Sequence, residues 1–253
     1  MNIEGQSAIV TGGASGLGEA TASLLAERGA KVLVIDTNGP AGEALAAKIG
    51  GLFAAADVTD EASVAEALAR AEAAHGIARI LVNCAGIAPA AKTVGREGAP
   101  HALSLFRKTV EVNLIGTFNL ASQFAARLAT AAPIGEERGV IVNTASVAAY
   151  EGQIGQTAYA ASKGGVAALT LPLARDLAAL RIRAMAIAPG LFLTPMLTGF
   201  PQEVQDALGA QVPHPARLGQ PAEYARLVEA IIANPMLNGE VIRLDGAIRM
   251  APR

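Results

Sequence analysis

Ser146, Tyr159 and Lys163 lie within TASVAAYEGQIGQTAYAASKGG, residues 144–165, among small residues and glycines that leave their side chains room. Tyr159 and Lys163 are four apart, so a helix over this stretch puts both on one face. A phenol with a pKa of roughly 10 is a poor base at neutral pH. An ammonium about 4 Å away, at an effective dielectric of about 20, favours the phenolate by up to about 4 kcal/mol, or about three pKa units. Such a pair can take the proton of an alcohol whose carbon gives up a hydride. The Ser146 hydroxyl then holds the substrate oxygen and steadies the charge developing on it. Tyr150 has no lysine four residues on and reads as a packing or pocket-lining residue.

A hydride needs an acceptor, and VTGGASGLGEA at residues 10–20 suits one. Gly12, Gly16 and Gly18 permit a tight turn, close approach of a ligand and close helix packing, while the backbone N–H groups around Ser15, Gly16 and Leu17 at the helix start suit a pyrophosphate. The spacing is GxxxGxG, and no lysine follows as in a nucleotide-triphosphate loop. Asp36 ends the next apolar run, eighteen residues after Gly18, where a carboxylate can accept both hydroxyls of an adenine ribose. Neither Gly13, Ala14, Ser15 nor Thr37 and Asn38 brings a cation for a 2′-phosphate, so NAD is expected over NADP. Asp57 and Val58 are placed beside the adenine. Asn83, Ala85 and Gly86 of NCAG are placed where the cofactor crosses the sheet edge.

The elements that must position these residues are short apolar runs alternating with helical patterns: SAIVTG, KVLVID, LFAAADV, RILVNCAG, RGVIVNTAS, RIRAMAIAPG and GEVIRLDG. Runs apolar on both faces and separated by helices mark a parallel sheet, so the expectation is a doubly wound α/β fold with helices on both faces. One domain over 1–253 accommodates it, with one helix expected over about 101–128 and another over about 158–179. Residues 189–221 break the pattern with prolines and read as a substrate loop with short helices, following a strand's C-terminal end. There Leu191, Phe192, Leu193, Met196, Leu197 and Phe200 would wall the pocket, and Lys92, Arg96 and Arg217 would stand near its mouth.

The formal charge is -2, from 20 basic and 22 acidic residues spread along the chain, which gives no footprint for nucleic acid. A lone Cys84 rules out an internal disulfide and reads as a small core residue, and His75, His101 and His214 match no metal-ligand spacing. No window approaches a membrane span and no signal segment is visible at the N-terminus, so the expectation is a cytoplasmic protein. Ser146 lacks the G-x-S-x-G context of a hydrolase nucleophile.

TGGASGLG, NCAG, VNL at 112–114, the Ser146–Lys163 stretch, APGLFLTPM and NGEVIRLDGAIRM together resemble the short-chain dehydrogenase/reductase family over essentially the entire chain, and within it the 3-hydroxyacyl-CoA dehydrogenase group. The resemblance implies NAD(H), reversible oxidation of (S)-3-hydroxyacyl-CoA and a homotetramer. It adds Asn113 to Ser146, Tyr159 and Lys163 as a catalytic set, with the asparagine holding a water of a proton relay. It also implies Pro189, Gly190 and Thr194 near the nicotinamide amide. Gln153, in the substrate-side loop, is a candidate contact of the thioester. Rival functions are an NADPH-dependent 3-oxoacyl reductase, a steroid or secondary-alcohol dehydrogenase, and a dinucleotide-binding scaffold without activity.

Overall fold

In a computed structural model the described residues are 1–252, without the side chain of Met196. They form a seven-stranded parallel sheet built from β1 (Ser7–Thr11), β2 (Lys31–Asp36), β3 (Leu52–Ala55), β4 (Ile80–Asn83), β5 (Gly139–Thr144), β6 (Ile182–Pro189) and β7 (Val241–Leu244), in the order β3-β2-β1-β4-β5-β6-β7. The order reverses between β1 and β4, the crevice where open α/β sheets take their ligands.

Strand parity sorts the core. Ile9, Leu33, Leu81 and Ile141 face one layer, with α3 (Glu61–His75), α5 (Gly116–Leu128) and α6 (Thr157–Leu177). Val10, Val34, Val82 and Val142 face the other, with α1 (Gly16–Glu27), α2 (Gly39–Ile49) and α9 (Pro221–Ala233). Both faces are covered, so each strand reads as a continuous apolar run.

The expected long helix over 101–128 is instead α4 (Leu103–Val110), one π-type turn at Glu111–Ile115, and α5. The extra residue in that turn buries Asn113 completely, a placement typical of a π-bulge at a site. The loop after β6 carries α7 (Pro195–Thr198) and α8 (Gln202–Gly209), as its broken pattern suggested.

Beneath the sheet, Glu137 is held at 2.6 Å by Arg183 and at 2.8 Å by the Met1 ammonium, all but excluded from solvent. Burial alone would raise the Glu137 pKa, but the hydrogen bonds and charges of those two cations outweigh it and hold the carboxyl below its ordinary range. The contribution is therefore present at neutral pH and is lost as pH falls below the carboxyl's unfolded value of roughly 4.3. Glu137→Ala leaves the Arg183 guanidinium buried without its carboxylate, and a loss of about 3–5 kcal/mol in denaturant unfolding at pH 7 is expected.

Candidate active site

The turn after β1 is as close-packed as its glycines require. Gly12 has φ +60°, and a Cβ there would lie 2.7 Å from the backbone of Ala85, two residues past the end of β4. At Gly18 a Cβ would run into the Gly12 carbonyl oxygen, so the first turn of α1 rests directly on the loop. Gly18→Ala is expected to abolish dinucleotide binding and to lower Tm, read by fluorescence titration and thermal unfolding. Ser15 is the N-cap of α1, yet its side chain makes no capping hydrogen bond, which leaves the helix start available to an anion. Thr194 and Pro195 come down over this turn, where a Cβ on Gly16 would sit 3.4 Å and 3.3 Å from them.

Asp36 closes β2 with its carboxylate accepting from Ala14 N–H at 3.0 Å and Asn38 N–H at 3.0 Å. The acid is thus tied to the glycine turn itself. Asp57 is exposed and accepts from the Thr59 backbone N–H at 2.9 Å and hydroxyl at 2.8 Å, while the Val58 side chain is buried against Gly116. Pro189 ends β6, and the Gly190 N–H donates to Leu244 O at 2.9 Å.

Ser146 follows β5 in extended backbone, is buried, and its hydroxyl accepts from Ala148 N–H at 3.1 Å. Tyr159 and Lys163 share a face of α6, with the Lys163 nitrogen 6.0 Å from the centre of the phenol ring. That ammonium donates to the Thr144 carbonyl at 2.6 Å and is 96% removed from solvent, which pushes its pKa down to about 8. Asn113 reaches the same place from the π-type turn. Its amide oxygen accepts from Ile87 N–H at 2.8 Å, and its amide nitrogen donates to Ile87 O at 2.9 Å and Ser162 Oγ at 3.0 Å. A Cβ on Gly86 would meet the Asn113 oxygen at 3.1 Å and the Lys163 nitrogen at 3.6 Å, so glycine keeps that approach open.

One expectation changes. The Tyr159 phenol is pushed above its ordinary pKa because burial outweighs the nearby Ser146 hydroxyl, which acts in the opposite direction. Lys163 alone does not make it a phenolate. Asn83 turns its side chain into the sheet, donating to Asn143 Oδ1 at 2.9 Å and accepting from the Thr11 hydroxyl at 3.4 Å. Gln153 donates its amide to Ala251 O at 3.0 Å in the C-terminal segment. Leu191 and Phe192 both border a cavity of about 100 Å³ whose lining includes none of Ser146, Tyr159 and Lys163, and Phe192, 7% exposed, packs there against Gly219.

Arg217, Lys92 and Arg96 are all exposed, and Arg217 is engaged by Glu223 through two hydrogen bonds of 2.8 and 2.7 Å. The positions that residue patterns did not single out are Thr11, Thr144, Ser162 and Tyr224, each with a buried hydroxyl beside the set. Thr11 and Thr144 end strands that carry motif residues, which is the one signal that points to them.

A glycine turn at the switch point, an acid at the end of β2 and a serine–tyrosine–lysine cluster at the same sheet edge define an oxidoreductase of the doubly wound, dinucleotide-binding class. Residues 6–205 match the short chain dehydrogenase family model, and the chain belongs to that family. It is 55% identical to the human 3-hydroxyacyl-CoA dehydrogenase type-2, over 99% of this chain and 98% of that protein. It is 49% identical to the Drosophila melanogaster protein of the same name, over 99% and 100%. A crystal structure of 3-hydroxyacyl-CoA dehydrogenase type-2 from Mycobacterium avium is 44% identical and superposes with a TM-score of 0.95 over 98% of each chain.

Proposed function

We propose that the protein oxidises (S)-3-hydroxyacyl-CoA thioesters reversibly to 3-oxoacyl-CoA, with NAD as its cofactor. The observation that carries this reading is the meeting of Ser146, Tyr159 and Lys163 at the sheet edge beside the Asp36-bearing turn, in a chain whose likeness to the human and fly dehydrogenases runs end to end.

The residues present fit a dinucleotide. Gly12 and Gly18 form a cradle that a Cβ would fill, the start of α1 is uncapped, and Asp36 offers its carboxylate with no lysine or arginine in the turn beside it. Ser15, Gly16 and Leu17 would hold the pyrophosphate, Asp36 the ribose hydroxyls, and Asp57 with the Val58 backbone the adenine. Ala85, Gly86, Pro189, Gly190 and Thr194 would enclose the nicotinamide half. When bound, NAD supplies the hydride acceptor.

Tyr159 takes the proton of the substrate hydroxyl in oxidation and returns it in reduction. Because burial keeps the phenol protonated, it stands ready as an acid toward a ketone and needs added positive charge to serve as a base. Lys163, fixed on the Thr144 carbonyl, supplies part of that charge. Ser146 donates to the substrate oxygen and is supported there by the turn at Val147–Ala149. Asn113 braces the Ile87 backbone against α6 through Ser162 and so keeps the lysine's surroundings in register.

A tetramer is part of the proposal. β7 is an edge strand, and Leu103, Ile115 and Phe118 on the α4–α5 side are 52–59% exposed, surface that a second copy would cover. Light scattering at micromolar concentration should give a four-chain mass, and a monomer would contradict it. Among the described residues no helix is long and apolar enough to cross a membrane.

The cofactor half of the proposal is tested by reducing acetoacetyl-CoA with NADH and with NADPH. A kcat/KM at least tenfold higher for NADH is expected, since a 2′-phosphate would meet the Asp36 carboxylate at close range. Equal use, or preference for NADPH, would favour a biosynthetic 3-oxoacyl reductase instead.

A further inference from the structure

Tyr224 lies on α9, on the opposite side of the sheet from α6, and is fully buried. Its hydroxyl is 2.7 Å from the Thr144 hydroxyl, which donates its single proton to Asn83 O at 2.6 Å. Tyr224 is therefore the donor to Thr144. The parity of β5 explains the geometry: Val140, Val142 and Thr144 point toward α9, while the Thr144 carbonyl at the strand's end is left to accept the Lys163 ammonium at 2.6 Å. Two residues further on stands Ser146. One strand-end residue thus anchors the lysine directly and the serine through a short tether, and a tyrosine from the back layer holds that residue.

We propose that Tyr224 is a positioning residue for proton transfer: through the Thr144 hydroxyl it fixes, from across the sheet, the carbonyl that holds Lys163. A tyrosine serving only to fill space would need no hydroxyl. This one is satisfied at a strand end carrying the site, with the Cys84 sulfur 3.8 Å away. Burying a hydroxyl costs stability unless it is bonded, so its phenolic oxygen is kept by this contact. The titratable groups around the Lys163 ammonium are Tyr159 on its own helix and Cys84 after β4, with the Asn113 amide facing it from the π-type turn. Burial keeps the Cys84 thiol and the Tyr224 phenol neutral, so neither competes for the lysine's charge at pH 7.

The inference rests on the assignment of Lys163 to proton transfer, and the test separates the two. Wild type, Tyr224→Phe, Thr144→Val, Thr144→Ser and the Tyr224→Phe/Thr144→Val double variant are compared in NAD-dependent oxidation of 3-hydroxybutyryl-CoA across pH. Tyr224→Phe should lower kcat about fivefold to tenfold, the scale of one buried hydrogen bond. KM should change little, and the ascending limb of the kcat profile should move to higher pH, because a loosely held ammonium supports the phenolate less. Thr144→Val should do the same, Thr144→Ser should restore the profile, and the double variant should be no worse than the worse single one. An unchanged kcat and pH limb in Tyr224→Phe, whatever its Tm, or additive losses in the double variant, would overturn the proposal. If Tyr224→Phe does not fold, the valine and serine variants of Thr144 decide by the same criteria. If wild type does not turn over this substrate, the functional reading is at fault. The strut is then read from the Lys163 titration by NMR, where Thr144→Val should displace the midpoint and an unchanged midpoint refutes it.

Discussion

Tyr159→Phe is expected to lower kcat about a thousandfold while NAD binding changes less than about threefold, since the hydroxyl is the group that carries the proton and general acid–base catalysis contributes on that scale. The ring keeps its packing on α6 and the Ser146 side of the site, so the variant should fold with a Tm close to wild type. Stopped-flow turnover and titration of NADH fluorescence separate the two effects. The phenol's raised pKa in the protein adds a direction: oxidation should accelerate with rising pH, whereas ketone reduction, which consumes the proton, should not. Near-wild-type turnover in Tyr159→Phe would remove the tyrosine from the chemistry.

Lys163→Met should lose activity by about a hundredfold or more and weaken NAD binding, yet should not lose thermal stability at pH 7. Burial holds the Lys163 pKa at about 8, below its ordinary 10.5, so the charged form is penalised in the folded protein. Below pH 8 that penalty is fully present. Between about 8 and 10.5 the unfolded chain binds the extra proton and wild-type stability rises. Methionine carries no charge, so the variant's stability should lack this rise, while its activity is lost at every pH. A substantially lower Tm for Lys163→Met would mean that the lysine serves packing, and an intact activity would contradict its place in the site.

Much of this arrangement is visible in the chain before any folding because its signals are local. The glycines after β1 and the four-residue spacing of Tyr159 and Lys163 each lie within one turn or one helix face. Asp36 follows directly from the end of an apolar run. What the chain does not show locally are the contacts decided by partners distant in sequence. Asn83 is drawn into the sheet because β1, β4 and β5 pair so that Thr11, Asn83 and Asn143 stand in one row, a register that no single strand reveals. Gln153 is taken by Ala251, ninety-eight residues away. The π-type turn that buries Asn113 comes from one added residue in an otherwise regular helical pattern, and EVNLI carries no glycine or proline to announce it. Tyr224 sits in an apolar stripe with Val228, Ile231 and Ile232 and reads as core until its hydroxyl is traced to Thr144. The raised pKa of the Tyr159 phenol is not legible in the chain because spacing reports the neighbour and not the desolvation.

The proposed reaction is dehydrogenation of a 3-hydroxyacyl-CoA at this site. It is tested most directly by NAD reduction measured side by side with (S)-3-hydroxybutyryl-CoA, 2-methyl-3-hydroxybutyryl-CoA, a longer 3-hydroxyacyl-CoA and a 17β-hydroxysteroid. At least one CoA thioester should exceed the steroid in kcat/KM by tenfold or more, with that turnover abolished in Tyr159→Phe. A steroid or free secondary alcohol turned over well above every thioester would contradict it.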